Sequence, residues 1–174
     1  MPYAVTLPLD PATAGVIEGM WRALAASGLD DGCVRLGYVP HITLAVYSDD
    51  APADTLRTTL ERATVGWTAL PVTLAGFGVF PSQPSVLWAA PVVTSALLDR
   101  HAAVVAALPG PHPHHRPGAW VPHVTLSNAL HDPAGALAAV LSLWRPLAGV
   151  LDRLELVRFH PVEVLWSRSL PAGR

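Results

Sequence analysis

Tyr38-Val39-Pro40-His41-Ile42-Thr43-Leu44 and Trp120-Val121-Pro122-His123-Val124-Thr125-Leu126 are two copies of one pattern, one in each half of the chain. Each reads aromatic, Val, Pro, His, β-branched aliphatic, Thr, Leu. Ile, Val, Thr and the aromatics favour strands. Side chains two apart on a strand share a face. His41 therefore stands beside Thr43, and His123 beside Thr125, while Ile42, Leu44, Val124 and Leu126 point the other way, into a core. Pro40 and Pro122 carry no backbone N–H, which suits the start of a strand or an edge. One such strand is unremarkable. Two of them, placed symmetrically, are not required by packing, which any apolar residue would satisfy.

Outward from the motifs, the rest of the 174-residue chain reads as strands mixed with helices. Tyr3–Leu9 reads as a strand, followed by a helix capped by Asp10 with Pro11 in its first turn. Val16, Ile17, Met20, Trp21 and Leu24 give that helix its apolar face, and Gly28 ends it. The turn Asp30-Asp31-Gly32 leads through Val34–Leu36 into the first motif strand. Ser48-Asp49-Asp50 with Pro52 opens a second helix to about Ala63. Val72–Val79 and Ser85–Ala90 form a hairpin around the turn Phe80-Pro81-Ser82-Gln83-Pro84. Thr94–Leu108 reads as a third helix, and a loop rich in Pro, His and Gly runs from Pro109 to Ala119. After the second motif, Asp132-Pro133 caps a fourth helix to about Trp144. Leu151–Phe159 and Val162–Leu170 form a second hairpin, joined at His160-Pro161. Strands, helices and two hairpins in this order predict an α+β fold.

Composition narrows the function. Half of the chain, 51%, is hydrophobic, enough for a sizeable core. The 18 prolines punctuate short loops rather than mark disorder. The net charge of −2 and the absence of any basic run argue against a protein that grips many phosphates of duplex DNA. Cys33 is the single cysteine, so neither an internal disulfide nor a cysteine-rich zinc site is expected. The chain shows no signal-peptide pattern and no run of ~20 apolar residues, and a cytoplasmic protein without membrane contact is expected. No P-loop, GxGxxG or HExxH motif is present.

Two His-x-Thr-hydrophobic motifs, each with proline before the histidine, resemble those of the 2H phosphoesterase superfamily. Within it the chain is similar to the bacterial 2′-5′ RNA ligase-like, or RNA 2′,3′-cyclic phosphodiesterase, proteins. The resemblance covers most of the chain, because strand and helix signals fall in a similar order around both motifs. It implies a single bilobed domain, residues 1–174, with two lobes related by a pseudo-twofold axis. Each lobe would be an antiparallel sheet flanked by helices, and both motif strands would line the central cleft. It further implies His41, Thr43, His123 and Thr125 as catalytic residues, no metal and no cofactor. The implied substrates are RNA 3′ ends or small nucleotides with a 2′,3′-cyclic phosphate, opened to 2′-phosphates.

The chemistry of the four residues agrees with that implication. A free imidazole titrates near ~6.5, so one can be neutral while the other is charged. In-line phosphodiester hydrolysis requires that pairing: a base for the attacking water, and an acid for the departing oxygen. Each nitrogen must reach its oxygen at ~3 Å, which sets the two roughly 5–7 Å apart. The Thr hydroxyls can donate to the non-bridging oxygens. The residues alone leave open which histidine is the acid; family precedent points to His41 as acid and His123 as base. Arg116, Tyr38, Trp120 and Phe80 are further candidates to touch substrate, Arg116 through phosphate and the aromatics through a base or as a cleft wall. His112, His114 and His115 lie together in the Pro-rich loop, where a solvated loop is expected and a metal site would need further ligands. Two alternatives stand beside hydrolysis: 2′-5′ RNA ligation, the reverse direction of the same chemistry, and a non-catalytic nucleotide- or RNA-binding module of the same fold. A monomer is expected.

Overall fold

A computed structural model describes residues 2–159 and 161–173. Eight strands form one sheet in the order β6-β3-β4-β5-β2-β1-β7-β8, every pairing antiparallel. The strands are β1 (Tyr3–Pro8), β2 (His41–Tyr47), β3 (Leu70–Phe80), β4 (Ser85–Pro91), β5 (Val124–Leu130), β6 (Leu147–Leu151), β7 (Arg153–Arg158) and β8 (Glu163–Ser169). The helices are α1 (Pro11–Ala26), α2 (Gly32–Arg35), α3 (Ala53–Ala63), α4 (Ser95–Ala107) and α5 (Pro133–Leu141). Four strands to each side of the centre make two halves. A twofold operation exchanges β2 with β5, β1 with β4, β7 with β3 and β8 with β6 in that order. The helices obey it too, since α1 packs against α5, and α4 against α3.

At the centre of the sheet β2 and β5 pair through Ile42 opposite Val124. Both side chains are fully buried, as are Leu44 and Leu126. The alternation in each motif strand thus divides core from cleft as the strand period requires. Immediately after each Thr the ladder slips by one residue. Thr6 and Val5 of β1 face Thr43 and Ala45, skipping Leu44. Trp88 and Leu87 of β4 face Thr125 and Ser127, skipping Leu126. A bulge adds twist and bends the strand, so β2 and β5 splay apart just past this pair.

Several elements differ from the sequence reading. The segment after Asp30 is a helical turn, α2, stabilised by Asp30 Oδ1 accepting from Gly32 N. The second helix starts at Ala53, and no side chain caps it. The fourth stops at Leu141. The Pro-rich loop contains a 3-10 turn at Pro113–His115. An additional strand, β6, precedes the last hairpin and pairs with β3. Its Ala148 and Gly149 are poor strand formers. Gly149 is needed, because a Cβ there would meet Thr13 Oγ1 and Asp10 Oδ2 at 2.2 and 2.8 Å. The strand exists because α1 docks its N-terminus on it. Of the predicted His160-Pro161 turn, His160 lies outside the described residues. Among the described residues no helix is long and apolar enough to cross a membrane.

Asp10 ties that corner together. Oδ1 accepts from Ala12 N and Thr13 N, and Oδ2 from Thr13 Oγ1 and, across the fold, from Val150 N at 2.8 Å. Burial raises its pKa, but these hydrogen bonds outweigh it and hold the carboxyl below its ordinary value. Asp10→Ala removes a helix cap, worth ~1 kcal/mol, and orphans the Val150 amide, worth about 1–3 kcal/mol. Denaturant unfolding should show a loss of about 2–4 kcal/mol; a loss under about 0.5 kcal/mol would mean the corner does not need it.

Candidate active site

The register of the central pair fixes the site. Moving one residue either way from Ile42–Val124 sets His41 opposite Thr125, and Thr43 opposite His123. All four point to the cleft face. The two histidines occupy one diagonal of this four-residue square and the two threonines the other. Diagonal neighbours of an antiparallel pair are roughly 7–8 Å apart, which lets two imidazoles approach one phosphorus atom from opposite sides.

Each ring is held in the same way. His41 Nδ1 donates to the carbonyl of Val39 at 2.6 Å, and His123 Nδ1 to that of Val121 at 2.7 Å. These bonds set the tautomer: with hydrogen on Nδ1, Nε2 keeps its lone pair for the cleft. Burial lowers both histidine pKa values, opposed in each by the carbonyl bond, and a charge on His123 works against a charge on His41. The pair therefore resists double protonation.

The carbonyls beneath the threonines are satisfied across the halves. Trp120 Nε1 donates to Thr43 O at 2.9 Å, and Trp21 Nε1 to Thr125 O at 3.0 Å. Where the splayed strands no longer pair, two indoles take the place of the missing ladder. Trp120 comes from the segment before β5 and holds β2; Trp21 comes from α1 and holds β5. One face of Trp120 stacks on His101, with ring centroids 4.1 Å apart and planes 4° from parallel. His101 in turn donates Nε2 to His115 O. The sequence reading offered Trp120 as a base-stacking platform, but the structure commits one face and the N–H to holding the motif strand.

A cavity of about 320 Å³ opens on one side of the square. His41, Thr43, Thr125 and Tyr38 line it, together with Thr6, Glu155, Val157 and Val164. His123 faces a different wall. Its ring meets Phe80 edge-on at 5.1 Å and lies 5.9 Å from Trp88. Trp88 lies across Gly78, where a Cβ would come within 2.1 Å of the indole. Phe80 stands against the His123 ring and does not line the cavity, and Tyr38 is in the cavity with its ring 6.2 Å from that of His41. Arg116 is exposed on the Pro-rich loop and does not line the cavity. Its neighbour His115 is close enough to His123 to feel its charge; burial first, and then the surrounding histidines, push its pKa down to about 4. Among the described residues no group of three or more His, Cys, Asp or Glu side chains is placed to hold a metal ion.

Trp21, Trp88, Thr6 and Glu155 were not singled out by sequence. Trp21 read as one more apolar helix position. Thr6 and Glu155 read as ordinary alternation within strands. Only the register, Thr43–Thr6–Glu155–Ser167 across four neighbouring strands, brings them into line.

Replacing either indole by phenyl keeps the packing and removes the N–H. Trp21→Phe and Trp120→Phe should each lose about 0.5–1.5 kcal/mol in denaturant unfolding; an unchanged midpoint in both would show that the carbonyls need no such partner.

A family model of the 2′-5′ RNA ligase superfamily matches residues 10–163. No curated protein matches in sequence. Solved structures share the fold over nearly the whole chain. The Thermus thermophilus protein TT0787 aligns with a TM-score of 0.62 at 19% identity, covering 100% of both chains. Escherichia coli LigT in its apo form aligns at 0.60 and 15% identity, covering 98% of this chain and 97% of that one. Kluyveromyces marxianus Usb1 aligns at 0.50 and 13% identity, covering 98% and 97%. LigT has also been solved with NADP+, ATP and 3′-AMP.

Proposed function

The chain belongs to the 2′-5′ RNA ligase superfamily, and from that premise we propose that it is a metal-independent phosphodiesterase opening 2′,3′-cyclic phosphates to 2′-phosphates. Its substrates are RNA 3′ ends or small cyclic nucleotides, and the nucleotide complexes of LigT are in keeping with that class. The observation that carries the reading is the diagonal placement of two imidazoles on strands paired at Ile42–Val124, with matched Nδ1 bonds that leave the Nε2 lone pair of each ring for substrate.

The asymmetry of the walls supports an assignment of roles. The cavity flanks His41 and not His123. In a cyclic phosphate the departing 3′ oxygen belongs to the nucleoside, so a nucleoside in the cavity puts that oxygen beside His41. Water then attacks from the His123 side. Its oxygen forms a bond to phosphorus as the P–O3′ bond breaks. Nε2 of neutral His123 takes the water's proton, and Nε2 of charged His41 gives its proton to O3′. The Thr43 and Thr125 hydroxyls donate to the two non-bridging oxygens, where charge grows. Solvent exchange restores both rings. Localisation in the cytoplasm and action as a monomer belong to the same proposal.

His41→Ala or His123→Ala should slow opening of a cyclic nucleotide by about 10²–10⁴-fold with EDTA present and the fold intact. A nitrophenyl phosphodiester, whose leaving group needs no proton, should separate the two: the His41 variant regains most of its rate and the His123 variant does not. Equal deficits on both substrates would overturn the assignment. Binding of cyclic nucleotide without turnover by the wild type would favour the non-catalytic module.

The pH profile follows from the lowered pKa values of both rings. The base must have lost its proton and the acid must have kept one. With both values below ~6.5, kcat/KM should peak on the acid side of that value and fall towards pH 8. A profile still rising at pH 8 would contradict it.

A further inference from the structure

Glu155 is a buried carboxylate that the hydrolytic step does not use. It is only 8% exposed and lines the cavity beside Thr6, itself 2% exposed. Its polar partners are few. Ser167 Oγ donates to Oε1 over a long 3.3 Å, and Arg153 Nε stands 3.8 Å from the same oxygen, an ion-pair distance without a hydrogen bond. An ionised carboxylate accepts at about four lone-pair positions, and a buried one is costly to leave under-satisfied. Burial accordingly raises the pKa, against the opposing effects of Arg153 and Ser167. A ligand in the cavity would supply what the protein does not.

The position of Glu155 says what kind of ligand. It lies two strands from Thr43, through Thr6, in one continuous row. Two strand spacings are roughly 10 Å, about the reach from a ribose phosphate to the far edge of its base. The equivalent row in the other half is Thr125, Trp88 and Gly78, which is aromatic and carries no charge. The polar end therefore belongs to one side only, the side of the cavity. A carboxylate there is an acceptor pair, and among the four RNA bases only guanine offers two adjacent donors, N1–H and N2–H. Adenine and cytosine each set a donor beside an acceptor, and uracil sets its one donor between two acceptors.

We infer that Glu155 reads the base of the substrate, and that the cavity takes a guanine nucleoside whose N1–H and N2–H donate to its carboxylate. This rests on the reading of the motif square as the phosphate site. Val157 and Val164 then flank the base, and Thr6 stands between the base and the phosphate.

The test measures two quantities on the intact protein: turnover of the four nucleoside 2′,3′-cyclic phosphates, and calorimetric binding of the four nucleoside 2′-monophosphates. Guanine should be preferred in both by about 10–100-fold, the range of a hydrogen bond to a charged group. Inosine, which lacks the 2-amino group, should lose about tenfold against unaltered protein, so this arm does not depend on a variant's folding. Glu155→Gln, which keeps the shape but sets a donor beside an acceptor, should abolish the preference for guanine over inosine and bring guanosine turnover down to the level of the other bases. Equal handling of all bases by the wild type, or an undiminished guanine preference in Glu155→Gln, would overturn the inference while cyclic-phosphate opening stands. Selective binding of guanosine 2′-phosphate with no turnover of any substrate would uphold the inference and instead end the hydrolytic reading.

Discussion

Ile42 opposite Val124 is the contact on which the site depends. An antiparallel pair carries its own local twofold axis. Whatever precedes the paired residue on one strand therefore faces whatever follows it on the other. Because both strands read His-aliphatic-Thr, this one pair sets each histidine against the other motif's threonine. The buried side chains of Ile42, Leu44, Val124 and Leu126 secure the register, since a slip of one residue would turn them into the cleft and the histidines into the core. The bulges that follow end the pairing at once, and this opens a cleft where a continuous ladder would have closed one. Trp21 and Trp120 then satisfy the carbonyls that the opening exposes.

Symmetry provides the machinery and its failure provides direction. The motif residues and their Nδ1 bonds follow the twofold operation, and so do the two threonine carbonyls that accept an indole N–H, although the indoles come from different elements. The walls do not. Beside His41 is a cavity ending in a buried hydroxyl and carboxylate; beside His123 are two aromatic rings. A symmetric pair of imidazoles has no intrinsic acid or base. The surroundings assign the roles by deciding on which side a nucleoside fits and on which side water must enter.

The four motif residues were legible because strand periodicity converts spacing into a shared face, and because the pattern occurs twice. Both hairpins and the caps at Asp10 and Asp132 were legible from local turn and cap chemistry. What escaped depends on neighbours far away in the chain. β6 has weak intrinsic preference and is a strand because β3 and α1 make it one. Trp21 is a core residue by pattern, but its N–H is spoken for by a carbonyl more than half the chain away. Glu155 alternates with Leu154 and Leu156 as any surface residue would, and only its neighbours β1 and β8 reveal that its side faces a cavity. The two lobes expected from the family resemblance are present as the halves of one sheet, whose central strands pair at Ile42 and Val124.

The most direct measurement is an NMR titration of the His41 and His123 ring protons, with and without a nucleoside 2′-phosphate. If both Nε2 atoms serve one phosphorus, the free rings should titrate as an interacting pair at depressed values, and the ligand should raise both together. Independent titration, with one ring indifferent to the ligand, would contradict the convergence of the two motifs on a single phosphate.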